Sequence, residues 1–222
     1  MRISSDATIF GAYVPIGAAK TVLDIGTGTG LLALMLAQRA TDGVTIDAIE
    51  IEDSAFAAAK ANVESSAFAA RINVFHSSLQ KFAPNVAKTY DLIVSNPPFF
   101  QSDLATTKSR SMHLARHAHD EGLDFATLAR IAKELLAPGG RFWVLLPSRE
   151  ANLFRNAAAA TGLHEKHRLC LHHTSSSHGN REISSYLTEP TELEVSKMVR
   201  HRDDLTPSDE MRALLAPYML HY

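Results

Sequence analysis

The sequence lacks several features that assign a protein to a class at once. It has a single cysteine, Cys170, so an internal disulfide is excluded. No apolar run approaches the length of a membrane span, and the start MRISSDATIF is too polar for a secretory signal. We therefore expect a cytoplasmic protein with no membrane partner.

An excess of either charge sign is also missing, since 22 Lys and Arg face 24 Asp and Glu. No global field draws such a chain to nucleic acid, so a polyanionic partner must meet a local patch. The 222 residues contain no repeat, low-complexity linker or composition shift. We expect one domain, 1–222, with an N-terminal helical segment at 1–20, a core sheet at 21–188, and a C-terminal strand and helix at 189–222.

Short β-type runs alternate with helix-type runs, which predicts an α/β fold whose mainly parallel sheet is covered on both faces. The predicted core strands are Thr21–Ile25, Val44–Glu50, Ile72–His76, Tyr90–Ser95, Arg141–Leu146, Lys166–Leu171 and Glu182–Leu187, with Leu193–Arg200 as an edge strand. The predicted helices are Leu31–Arg39, Ser54–Asn62, Leu123–Leu136, Asn152–Ala160 and a terminal helix with Thr206 as N-cap and Pro207 at its first position.

The first strand runs directly into the glycine-rich turn DIGTGTG. Its glycines, Gly26, Gly28 and Gly30, allow a tight turn and a close approach of a ligand to the main chain. The dinucleotide fingerprint has its third glycine at position six, where this chain has Leu31, so the dehydrogenase interpretation loses its support. Asp24 before the turn would repel a pyrophosphate and suits a cationic ligand. Glu50, about 20 residues past the turn, stands where an acid accepts hydrogen bonds from ribose hydroxyls.

This arrangement resembles the S-adenosylmethionine-dependent methyltransferases with a Rossmann-like sheet of seven strands. The resemblance implies that Asp24 and the three glycines bind the amino-acid end of the cofactor and that Glu50 binds its ribose. It extends cofactor binding to Ile51, Ser78, Leu79 and Asn96. The family commonly has an acid where this chain has Ser78, and a serine still accepts a hydrogen bond from the adenine amine, with less strength.

A second motif, Asn96-Pro97-Pro98-Phe99, follows the fourth predicted strand. Parallel strands bring their carboxyl ends to one edge, so this motif and the glycine turn should face one crevice. The tetrapeptide resembles the motif of methyltransferases that modify a planar nitrogen. An exocyclic amine needs acceptors for its two N–H groups, which the Asn96 side chain and the Pro97 carbonyl can provide in fixed positions. Phe99 can stack on a base that has left its helix. We expect these four residues to be catalytic.

Beyond these motifs, the chain resembles the bacterial tRNA adenine-N6 methyltransferases that act in the anticodon loop of a valine tRNA. Segments that carry this resemblance include LLALMLAQRA, DAIEIE, RINVFHSSLQKF and SNPPFF. The resemblance implies methyl transfer to the N6 of an adenosine in tRNA. The sequence leaves the oligomeric state open, and we favour a monomer. Two alternatives keep the mechanism and change the substrate, to glutamine N5 of a release factor or guanine N2 of ribosomal RNA. A third is a cofactor-binding module without catalytic activity.

The loop after the second motif supplies a local basic rim, so Lys108, Arg110 and Arg116 are candidate RNA contacts. Several histidines could suggest a metal: His113, His117, His119, His172 and His173. No cysteine or acid completes a ligand set at familiar spacing, so we predict no metal site.

Overall fold

The computed structural model of the chain describes residues 5–97 and 123–218, and these contain one sheet of eight strands. The spatial order of the strands is β3-β2-β1-β4-β5-β7-β6-β8. In chain order they are β1 (Thr21–Ile25), β2 (Thr45–Glu50), β3 (Ile72–His76), β4 (Tyr90–Ser95), β5 (Leu136–Pro147), β6 (His164–His172), β7 (Gly179–Leu187) and β8 (Glu194–Val199).

The sheet is parallel from β3 to β5, and β7 is the one antiparallel strand among those described. The predicted α/β fold with a mainly parallel sheet is confirmed. The prediction of seven strands is wrong by one in the described part of the chain, because the edge strand β8 is hydrogen-bonded in parallel to β6 and completes the same sheet. The division of the chain at residues 20 and 188 stays a prediction.

Helices cover both faces of the sheet. The α-helices of the described residues are α1 (Ser5–Tyr13), α2 (Leu31–Arg39), α3 (Asp53–Glu64), α4 (Leu79–Phe82), α5 (Phe125–Leu135), α6 (Ser148–Thr161) and α7 (Asp209–Leu215). One apolar core holds residues of α1, α2, α3 and α7, such as Phe10 and Leu36, and the other holds residues of α4, α5 and α6, such as Leu128 and Phe154. Burial on both faces explains why β1 and β4 are mainly apolar and do not alternate between apolar and polar residues.

Several element ends differ from the prediction. α6 begins at Ser148 and not at Asn152, and β7 begins at Gly179 and not at Glu182. The last helix begins after Ser208, whose side chain accepts from the Met211 amide, so the predicted N-cap at Thr206 is wrong. β5 begins at Leu136, five residues before the predicted start, and includes Pro138-Gly139-Gly140. In the two described ranges, no helix combines the length and apolar character needed to cross a membrane.

The end of α2 holds α1 in place through one arginine. Arg39 donates hydrogen bonds to the carbonyl oxygens of Gly11, Ala12 and Val14, at 2.7, 3.0 and 2.6 Å. These carbonyls belong to the last turn of α1 and the residue after it, where orphan acceptors need a partner. Arg39 therefore fixes the C-terminal end of α1. The N-terminal end of this helix carries Asp6, which pairs with Arg181 at the carboxyl edge of the sheet.

We expect Arg39→Met to lower the free energy of unfolding by about 2 kcal/mol, because three half-buried charge-assisted hydrogen bonds are lost. The matched control is Arg130→Met, which removes an exposed ion pair with Glu134 and should cost less than about 0.5 kcal/mol. Urea unfolding of both variants checks this. Equal losses in the two variants would show that Arg39 does not anchor α1.

Candidate active site

The two predicted motifs begin on neighbouring strands at one edge of the sheet. In the pairing of β1 with β4, Asp24 lies beside Val94 and Ile25 beside Ser95. The Ser95 hydroxyl donates a 3.0 Å hydrogen bond to the Ile25 carbonyl oxygen, and both groups are buried. This bond holds the ends of the two strands together, so the glycine turn and Asn96 start at the same level of the carboxyl edge.

The glycine turn is closed against β2. The amides of Gly26 and Thr27 both donate to the Ile49 carbonyl oxygen at 3.0 Å. Gly26, Gly28 and Gly30 have φ values of +70°, +60° and +85°, which favour glycine. A Cβ built on Gly26 meets no heavy atom of the described residues within 4 Å, so these residues leave space for a ligand beside the turn.

Asp24 is a fully buried carboxylate with one satisfied oxygen. Its Oδ2 accepts a 2.6 Å hydrogen bond from the Thr27 hydroxyl, whereas the buried Oδ1 has no hydrogen-bond partner within residues 5–97 and 123–218. Burial raises the pKa of Asp24 to about 7, against the lowering effects of Thr27 and the nearby Ala33 amide, and the Glu50 charge raises it further. The Ala33 amide lies near the carboxylate but does not form a hydrogen bond with Oδ1. A buried acceptor of this kind is suited to a cationic donor.

Glu50 holds the glycine turn from the end of β2. Its Oε2 accepts from the Gly28 amide at 2.8 Å, and its Oε1 accepts from the Ile51 and Glu52 amides at 2.9 Å each. A carboxylate has about four lone-pair directions, so roughly one remains on Oε2 for a ligand hydroxyl. The expected ribose contact stays a prediction. Sequence reasoning missed that this acid also fixes the turn.

The remaining predicted cofactor residues differ in what they offer. The Ser78 side chain caps α4 by accepting from the Lys81 amide, and the Leu79 side chain is buried in the core. Ile51 is 48 % exposed and gives the edge an apolar side chain. The cofactor roles of all three stay predictions.

Asn96 follows β4 directly and is half-buried, and Pro97 after it is buried. The Asn96 Oδ1 is buried and has no hydrogen-bond partner in the part of the chain that the structure describes. If the alternation of the strand continues, Asn96 lies on the same face as Val94 and hence as Asp24, with the two Cα atoms about 8 Å apart. The site therefore brings two unpartnered acceptor oxygens, of Asp24 and Asn96, to adjacent strand ends.

Several predicted residues lie outside the described ranges: Pro98, Phe99, Lys108, Arg110 and Arg116. Thr27 and Ser95 were missed as functional residues, although both stand inside the motifs that sequence analysis singled out. Within residues 5–97 and 123–218, no group of three or more His, Cys, Asp or Glu side chains could hold a metal ion.

Known proteins similar to this chain are methyltransferases. A family model described as "Methyltransferase small domain" matches residues 7–153. A protein of Dyadobacter fermentans named tRNA1(Val) (adenine(37)-N6)-methyltransferase is 37 % identical over all of this chain and 92 % of its own length. A protein of the same name from Serratia proteamaculans is 35 % identical over all of this chain and 85 % of its own length.

Among solved structures, a predicted O-methyltransferase from Agrobacterium tumefaciens superposes with a TM-score of 0.72, covering 97 % of this chain and 98 % of that one. Its 15 % identity supports the fold alone. The family match over residues 7–153 and the full-length identity of 37 % decide the family. The chain belongs to the methyltransferase small domain family and, within it, to the family of the tRNA1(Val) (adenine(37)-N6)-methyltransferases.

Proposed function

We propose that the protein transfers a methyl group from S-adenosylmethionine to the exocyclic N6 of an adenosine in the anticodon loop of a valine tRNA. The observation that carries the proposal is the pair of buried acceptor oxygens, Asp24 Oδ1 and Asn96 Oδ1, at the ends of adjacent strands. One suits the cationic end of the methyl donor and the other suits the amine that receives the methyl group. The names of the full-length relatives supply the substrate.

The residues present fit S-adenosylmethionine. In this proposal Asp24 Oδ1, which has no partner among the described residues, accepts from the ammonium group of the methionine part, and the space beside Gly26 takes the ligand next to the main chain. The lone pair that remains on Glu50 is available to a ribose hydroxyl, and Ile51 offers an apolar surface to the adenine. When bound, this cofactor supplies a methyl group that its sulfonium has already activated.

The substrate side depends on Asn96 and Pro97. The lone pair of an exocyclic amine is delocalised into its ring, so the nitrogen becomes a better nucleophile when acceptors bind its N–H groups and favour a tetrahedral geometry. Asn96 Oδ1 accepts from one N–H and the Pro97 carbonyl from the other. Because the proline fixes its own φ angle and is buried, the acceptors are in place before the substrate arrives. Positioning the amine in line with the donor does much of the rest.

The proposal places the enzyme in the cytoplasm, where tRNA is modified, and takes the monomer as the active unit. Lys108, Arg110 and Arg116 remain predicted RNA contacts outside the described residues. Incubation with isotope-labelled donor, followed by nucleoside mass spectrometry, tests the reaction and the substrate class together. Label in N6-methyladenosine of tRNA supports the proposal, whereas label in protein or in N2-methylguanosine of ribosomal RNA contradicts it.

We expect Asp24→Asn to change stability and cofactor binding in opposite directions. The raised pKa of about 7 means that the unfolded chain ionises this carboxyl near pH 4 and the folded chain only near pH 7. Stability therefore falls as the pH rises between these values and is flat above them. Asparagine removes this loss, so the unfolding temperature of the ligand-free variant at pH 8 should rise by at least about 3 °C.

The same Asp24→Asn variant should bind S-adenosylmethionine about 30-fold or more weakly, because a buried ammonium loses its charged partner. The wild type should also lose affinity as the pH falls below about 7, when Asp24 takes up a proton, and the variant should not. Calorimetric titration at pH 6 and 8 measures both effects. An unchanged affinity in the variant would contradict the role of Asp24.

We expect Asn96→Ala to keep donor affinity within a few-fold and to lower turnover by about 10² or more, the scale found when one preorganised polar group is removed from a catalytic site. The matched control is Asn85→Ala, since Asn85 is exposed and its side chain donates only to the Lys81 carbonyl oxygen. Single-turnover methyl transfer at saturating donor gives the comparison. Undiminished turnover in Asn96→Ala would mean that another group binds the amine.

A further inference from the structure

The connection between β6 and β7 carries a polar surface that the proposed chemistry does not use. We define the hairpin tip as residues 172–181, with the sequence HHTSSSHGNR. It contains three histidines, four hydroxyl side chains, an asparagine and an arginine, and no acid. In a chain with more acidic than basic residues, ten consecutive positions without a carboxylate make a surface that does not repel a polyanion.

The hairpin tip stands beside the proposed site. β7 pairs with β5, which places Arg181 next to Pro147, and β5 pairs with β4, which places Val144 next to Ser95. The tip is therefore two strand spacings, about 10 Å, from the strand that ends in Asn96. Because Pro147 lies three residues beyond Val144 on β5, the tip also rises past the level at which β4 ends.

Hydrogen bonds hold the hairpin tip in one conformation. The His172 Nδ1 lies 2.6 Å from the Ser177 carbonyl oxygen, and the Thr174 amide donates to the Ser177 hydroxyl at 2.9 Å. From β8, the Lys197 ammonium donates to the Ser175 carbonyl oxygen at 3.2 Å. The side chains of His173, Ser176 and His178, among others, remain exposed on this fixed frame. A surface ordered in advance loses little conformational entropy on binding.

Positive charge lies at the base of the hairpin tip. Arg181, the last residue of the tip, and Arg200 both pair with the carboxylate of Asp6, at 2.9 and 2.6 Å. The Arg200 amide also donates to the His172 carbonyl oxygen, which ties this group to the tip. The opposite half of the edge, next to the cofactor residues, carries Glu50, Glu52 and Asp53, so the two halves differ in charge.

Acids contact the hairpin tip at its base, where Asp6 pairs with Arg181, and in the segment after β8. Asp203 and Asp204 follow β8, where Asp203 accepts from the Ser175 hydroxyl and Asp204 accepts from the Thr206 hydroxyl. Arg202 in the same segment pairs with Asp209. An extended polyanion is therefore favoured across the tip toward Asn96 and disfavoured past β8.

We propose that the hairpin tip binds the sugar-phosphate backbone of the RNA substrate next to the target adenosine; this inference rests on the proposed function. Hydroxyl, imidazole, amide and guanidinium groups are the usual contacts to phosphate and ribose oxygens. The tip has no Phe, Tyr or Trp to stack on a base, and its exposed imidazole and hydroxyl groups suit contacts to phosphate and ribose oxygens.

The test adds a carboxylate to the hairpin tip. His178→Glu places a negative charge on an exposed side chain, and His164→Glu is the matched control, since His164 starts the neighbouring strand β6 about 26 Å away at the opposite edge. We expect the dissociation constant for a tRNA transcript to rise roughly 5- to 10-fold in His178→Glu at low salt, through repulsion of phosphates. The increase should shrink as salt screens it, and the control should stay within about two-fold of the wild type.

Donor affinity should be unchanged in both variants, because the hairpin tip is separate from the residues proposed to bind the cofactor. Ser176→Glu, at a second exposed position of the tip, repeats the test independently. If the wild type methylates tRNA and both tip variants bind RNA as it does, the hairpin inference is wrong and the function stands. If the wild type transfers no methyl group to tRNA, the proposed function fails and the inference fails with it.

Discussion

The structure depends on a charge that is costly to bury. Asp24 lies inside a parallel sheet with one oxygen bound to Thr27 and the other without a partner among the described residues. Packing alone does not account for such a group, because an apolar residue would stabilise the fold more. The surrounding groups limit the cost without removing it, as the raised pKa of Asp24 shows. Perturbed carboxyls of this kind concentrate at binding and catalytic sites.

Two hydrogen-bonded side chains fix the strand ends around Asp24. The Ser95 hydroxyl ties the end of β4 to the end of β1, and the Glu50 carboxylate ties the glycine turn to the end of β2. Three neighbouring strand ends are thereby fixed relative to one another before any ligand binds. Methyl transfer needs the donor and the amine in line at a short distance, and under the proposed function this rigidity helps to hold them so. In our proposal the cationic cofactor binds at the acidic half of the edge and the polyanionic substrate at the other half.

The sequence predicted the features that depend on local chemistry. The bounds of α2 and of the strands β1, β3 and β4 agree with prediction, because apolar runs and turn residues mark them. The early start of β5 was not predictable, because Pro138-Gly139-Gly140 is a typical turn sequence. This segment belongs to the strand because Leu136 pairs with Tyr90, ahead of a register shift. The use of Ser208 in place of Thr206 as N-cap also depends on tertiary contact, since the Ser208 hydroxyl donates to the Val199 carbonyl oxygen.

The same division applies to the site. Asp24, Glu50 and Asn96 could be chosen from motif spacing, and the structure brings the strand ends that carry them together. The second role of Glu50 and the position of the hairpin tip required knowledge of which backbone amides and strands meet in space.

The most direct test is a crystal structure of the protein with S-adenosylhomocysteine and an anticodon stem-loop RNA. The account predicts the cofactor's amino nitrogen and the adenine N6 at roughly 3 Å from Asp24 Oδ1 and Asn96 Oδ1, respectively. An Asn96 side chain turned away from the base, with the adenine bound elsewhere, would contradict it.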